Sequence, residues 1–123
     1  MMDLEELCLF CMRFPEVEET VPFGPDILVY KVCGKAFALT GVDDVPARVN
    51  LKCDPVRAEE LRDEYDAVIP GYHMNKRHWN TVVLDGSLGG DFVESLVKDS
   101  YDLVVAGLKK ADRERLQSLR DDE

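Results

Sequence analysis

The spacing of apolar residues switches repeatedly between helical and strand period along this chain, and that alternation restricts the folds open to it. Asp3 with Glu6 has the form of a capping box, and Leu4, Leu7, Cys8, Cys11 and Phe14 then recur at helical spacing until Pro15. From Ile27 the pattern differs. Ile27-Leu28-Val29-Tyr30-Lys31-Val32 is β-branched and aromatic, Cys33-Gly34-Lys35 turns the chain, and Ala36-Phe37-Ala38-Leu39-Thr40 returns, which reads as a hairpin. Asp43-Asp44 with Pro46 makes a second turn. Beyond it Ala47, Val49 and Leu51 alternate with Arg48, Asn50 and Lys52, so one face of that strand is wet.

Helical spacing then resumes. Asp54-Pro55 is a cap followed by proline at the first helical position, opening a helix that runs to about Glu64. Trp79 to Leu84 reads as a strand and Gly86 to Gly90 breaks it off. Asp91 opens a long helix with Phe92, Val93, Leu96, Val97, Ser100, Leu103, Val104, Gly107 and Leu108 on or near one face. Residues 16–26 are acidic and hold Pro22, Gly24 and Pro25, which makes them a turn-rich connector or a ragged edge strand. The order is helix, three strands, helix, strand, helix. It predicts an α+β fold: a two-layer sandwich with a mostly antiparallel sheet and helices packed on one face. One domain is expected over residues 1–111, with a charged helix end or tail over 112–123.

Charge narrows the function. The chain has 15 Lys+Arg against 25 Asp+Glu in 123 residues, a net charge of −10. That balance opposes non-specific nucleic-acid binding and binding at an anionic membrane surface. No apolar run approaches the ~20 residues of a membrane span, and the acidic N-terminus is unlike a secretory signal, so the cytoplasm is the expected compartment. Cys8, Cys11, Cys33 and Cys53 read as small buried hydrophobes there. Cys8-Leu9-Phe10-Cys11 has C-x-x-C spacing, but it lies inside a predicted helix with no strand before it. No zinc spacing, P-loop, G-x-S-x-G or H-E-x-x-H occurs, and no catalytic residue, metal site or cofactor is expected.

One window stands apart. Residues 67–84 hold Lys76 and Arg77 and no acid, together with both histidines and the one tryptophan of the chain. Tyr72, His73, Asn75, Lys76, Arg77, His78, Trp79 and Asn80 offer donors, imidazoles and a stacking surface for an anion, a nucleobase or a carboxylate. Arg48 and Lys52 on the wet strand face extend the candidate binding set. The alternative is a loop pinned by its own side chains. Along the strand, His78, Asn80 and Val82 point one way and Trp79, Thr81 and Val83 the other; both sets contain an apolar residue, so the period leaves the faces open. Trp79 is expected in the core, with Lys76 and His78 exposed beside a cleft.

The stretch Pro70-Gly71-Tyr72-His73-Met74-Asn75-Lys76-Arg77-His78-Trp79-Asn80-Thr81-Val82, followed by Ser100-Tyr101-Asp102-Leu103-Val104, resembles the MmcQ/YjbR-like family of small bacterial proteins. Pro22-Phe23-Gly24 and Leu51-Lys52-Cys53-Asp54-Pro55 are similar to its N-terminal half. The resemblance implies a CyaY- and frataxin-like fold, and a DNA-binding role described as a double-wing motif, with no established enzyme activity. Leu108-Lys109-Lys110 lacks the proline usual in the family at that point, which predicts a final helix that runs on unbroken. The frataxin comparison raises iron; Asp3, Glu5, Glu6, Glu16, Glu18 and Glu19 are read instead as a solvated acidic surface. Two functions follow. One is weak, salt-sensitive DNA binding by the basic and aromatic loop and the open sheet face. The other is a pocket of the same loop for a small anionic ligand or a protein partner, without catalysis.

Overall fold

Asp3 begins the first helix as expected: its carboxylate accepts from the Glu6 N–H at 2.8 Å, and α1 runs Leu4–Cys11. The computed structural model describes residues 2–71 and 74–121. Six strands follow or intervene: β1 (Val17–Thr20), β2 (Ile27–Val32), β3 (Lys35–Gly41), β4 (Arg48–Lys52), β5 (Val68–Pro70) and β6 (Trp79–Val83). The other helices are α2 (Pro55–Glu64), α3 (Gly90–Ala106) and α4 (Lys110–Asp121). The sheet order is β1-β2-β3-β4-β6-β5, with every neighbouring pair antiparallel.

The β2–β3 hairpin turns on Cys33 and Gly34, whose φ angles are 50° and 78°. Both lie in the left-handed region that a two-residue type I′ turn demands. A bulge beside Tyr30 and Lys31 then leaves Phe37 without a cross-strand partner. The extra residue lets Phe37 and Ala38 both face the helices, and both are buried. On that side Tyr30, Val32, Phe37, Val49, Leu51 and Val82 are each at most 3% exposed. Phe37 meets Tyr101 of α3 edge-on at 5.3 Å, and Phe14 stacks on Tyr101 at 4.6 Å. Ser100 ties α3 to the sheet, donating to the Phe37 carbonyl at 2.6 Å and accepting from the Lys52 N–H at 2.8 Å. Asp54 caps α2 by accepting from the Val56 and Arg57 N–H groups. The architecture is the expected α+β sandwich.

Two details depart from the sequence expectation. The sheet has six strands rather than four. The segment 16–26 contributes a true edge strand, and β5 is too short, at three residues ending in proline, for a period to register. The final helix does not run on unbroken. It stops at Gly107, whose N–H bonds to Val104 O, and α4 starts at Lys110. The break lets α4 fold back so that Leu116 is fully buried. Arg115 reaches Glu16 at 2.6 Å and Arg120 reaches Asp102 at 2.7 Å.

Candidate functional site

The described helices pack on one side of the sheet, and strand alternation sends the other half of its side chains to the opposite side. Val29 pairs with Leu39, Leu39 with Asn50, and Asn50 with Thr81, which gives one row across four strands. A cavity of about 800 Å³ opens over this row. Its floor is Val29, Ala36 and Leu39, with Ile27 at the edge. Val29 is 1% exposed and Leu39 9%, whereas Phe23 at the rim is 70% exposed, so the site is deep at its base and open at its mouth. Phe23 rides a turn in which Gly24 has φ +105°, a backbone state that glycine adopts at no steric cost. Met74 borders the cavity from the β5–β6 loop.

Polar groups surround the apolar floor at particular points. Thr81 donates its hydroxyl to Asn50 Oδ1. Arg48 and Lys31 line the cavity, and neither forms an ion pair among the described residues. Asp26, Asp43 and Asp44 gather near the Gly41 end. A Cβ on Gly41 would lie 2.6 Å from Asp44 Oδ2, so this carboxylate occupies the space a side chain would take.

The aromatic and basic loop is organised mainly by its own backbone. Asn75 O accepts from the N–H groups of His78 (3.1 Å) and Trp79 (3.0 Å), and Asn75 Oδ1 accepts from Arg77 N–H (3.0 Å). His78 O accepts from Cys53 N–H at 2.7 Å, which anchors the loop to the start of α2. Gly71 donates to Trp79 O at 3.0 Å, and a Cβ there would approach Trp79 O to 2.8 Å. Only glycine permits that approach.

The sequence-derived binding set is therefore divided. Arg48 lines the cavity. Lys52 and Trp79 are register partners on the open face, beyond the cavity lining. Lys76 and Arg77 are exposed on the loop, Asn75 holds the turn, and His78 is half-buried. Tyr72 and His73 lie outside the described residues. Two expectations are corrected. Asn80 is 2% exposed on the helix side, where its Nδ2 donates to Ala58 O at 3.3 Å, so it cannot meet a ligand on the open face. Trp79 is half-buried on the open face rather than in the core. The residues that sequence reasoning missed are Ile27, Val29, Lys31, Leu39, Asn50 and Thr81. Their signal was present: residues 27–32 are apolar on both faces, although helices were expected on one.

The C-x-x-C pair is inert in this setting. Burial pushes the Cys11 thiol up to about 12, and burial also raises Cys8, so both are protonated at neutral pH. All four cysteines are free.

The sequence and the fold are similar to those of known proteins. The YjbR protein of Escherichia coli strain K12 is 39% identical over 119 residues, 96% of this chain and 100% of its own. YbdF of Escherichia coli O157:H7 is 39% identical over 107 residues, 86% of this chain and 87% of its own. Both are named as uncharacterized proteins. The crystal structure of a Deinococcus radiodurans protein matches with a TM-score of 0.87 at 41% identity, covering 95% of this chain and 89% of that one. The family model described as YjbR matches residues 12–103, a span that contains all six strands and every cavity residue named above, and the chain belongs to the YjbR family.

Proposed function

We propose that the protein is a binding module for a small organic ligand seated on the open face of its sheet, without a catalytic step. The cavity carries this reading. At about 800 Å³ it lies within the ~300–1,000 Å³ range of ligand sites, and it combines an apolar floor with polar groups around it. Loop residues Lys76 and Arg77 stand outside it and do not furnish its floor. Duplex DNA fits the same surface less well. Arg48, Lys52, Lys76 and Arg77 offer few phosphate contacts against a net charge of −10, and Asp26, Asp43 and Asp44 border the same cavity.

The test is a fluorescence titration of the native protein with 8-anilinonaphthalene-1-sulfonate. Ala36→Phe places a ring over the floor at a strand position that tolerates aromatics. Saturable enhancement that weakens about tenfold in A36F, at an unchanged melting temperature, supports the cavity. Dye binding indifferent to A36F overturns it. A polarisation change with duplex DNA at ~50 mM salt that A36F abolishes also overturns it, since the surface would then belong to DNA.

A further inference from the structure

Resting on the cavity reading, the geometry points to a more specific ligand: we infer that it is an amphiphilic monocarboxylate, with its carboxylate against Arg48 and Asn50 and its apolar body over Val29 and Leu39. Arg48 and Asn50 are two residues apart on β4, so both side chains project from the same face with Cα atoms ~7 Å apart. Asn50 Oδ1 is occupied by the Thr81 hydroxyl. That contact orients the amide and leaves Nδ2, which has no hydrogen-bond partner among the described residues, as the group to donate. Arg48 supplies a guanidinium fork that pairs with no carboxylate among the described residues. A planar fork beside an oriented amide matches the two oxygens of a carboxylate.

The surrounding charge selects against a doubly charged head. Asp26, Asp43 and Asp44 share the cavity with Arg48, and Asp44 is folded onto Gly41, the β3 residue that follows the register partner of Val49. Their field opposes a phosphate dianion about twice as strongly as a single negative charge. Lys31 is the other cation of the lining, so three carboxylates face two basic groups and the balance stays negative. An apolar chain or ring can lie across Val29 and Leu39 under the exposed Phe23, where its burial replaces water on apolar surface.

Isothermal titration calorimetry of the intact protein with octanoate, 1-octanol and octyl phosphate separates the possibilities. Octanoate is expected to bind about tenfold or more tightly than either of the others. Arg48→Gln, at an exposed position, should weaken octanoate about tenfold and leave 1-octanol within about twofold; Asn50→Ala should act in the same direction. If 1-octanol binds as tightly as octanoate, or R48Q leaves octanoate unchanged, the carboxylate assignment is overturned and the apolar cavity stands. If octyl phosphate binds more tightly than octanoate, the argument from the aspartates is wrong. If none of the three binds while the sulfonate dye still responds to A36F, the carboxylate fails alone. Failure of the dye as well removes the cavity reading with it.

Discussion

The two faces of this sheet are built from alternate residues of the same strands, yet they end in opposite states. On the helix side, Tyr30, Phe37 and Leu51 meet the rings and aliphatic chains of α1, α3 and Phe14, and the rings interlock at 4.6–6.2 Å. On the other side, Val29 and Leu39 are equally apolar and, at 1% and 9% exposure, nearly as well screened from water, but they form the base of a cavity of about 800 Å³ instead of packing on a helix. A side chain with neighbours on every side contributes dispersion contacts that one bordering a cavity lacks. The face without helices thus carries more apolar surface than its packing uses, and that excess is the basis of the proposed ligand surface.

The sharpest way to break this comparison is to truncate one residue on each face and follow urea unfolding by circular dichroism. Phe37→Ala should cost about 3–5 kcal/mol, because it removes a buried ring from an interlocked cluster. Ser100→Ala should cost about 1–3 kcal/mol by leaving the Lys52 N–H and the Phe37 carbonyl without their shared partner. Leu39→Ala and Trp79→Ala, on the open side, are expected nearer 1–2 kcal/mol each. A Leu39→Ala cost equal to that of Phe37→Ala would mean that the open face is as much a core as the covered one.

The smallest expected effect concerns α4 and pH. The hydrogen bonds from Arg115 hold the Glu16 carboxyl below its usual 4.5. Desolvation pushes Asp102 up, but hydrogen bonds from Lys98 and Arg120 outweigh it, and its carboxyl lies below the usual 3.8. Both groups bind protons more weakly when folded. Their contribution is complete above the unfolded values and is lost as pH falls through the lower folded ones. Amide-exchange protection, taken relative to the intrinsic rate at each pH, should therefore fall in residues 110–121 below about pH 4, ahead of α3, and Arg115→Gln should reduce that pH dependence. Identical acid responses in α3 and α4 would show that the ion pairs do not hold the helix.

Much of the architecture was legible because it rests on local chemistry. The Asp3 and Asp54 caps, the Cys33-Gly34 turn and the alternation of Arg48, Asn50 and Lys52 each act within a few residues. What escaped depends on distant partners. β5 is a strand because β6 lies beside it, and Leu116 is buried because the chain turns back at Gly107. The faces of β6 could not be assigned from its period; the Nδ2 contact of Asn80 with Ala58 and the pairing of Thr81 with Asn50 decide them. In the candidate site, charge drew attention to Arg48 and to the loop cations. The cavity floor was hidden in a run read only as a hairpin strand, because one sequence cannot show which apolar face a helix will cover.

The edges of the sheet carry a consequence for self-association. A six-stranded open sheet exposes two rows of unpaired backbone groups, a ready template for a strand from another copy. Here one edge is β1, four residues long with Glu18 and Glu19 exposed, and the other is β5, three residues long and ending in Pro70. A strand docking on β1 brings its own backbone against two carboxylates, and one docking on β5 meets a residue with no N–H to give. Both rows are too short and too guarded to seed a growing sheet, so a chain that keeps an apolar surface open to solvent is protected from aggregating along its strands.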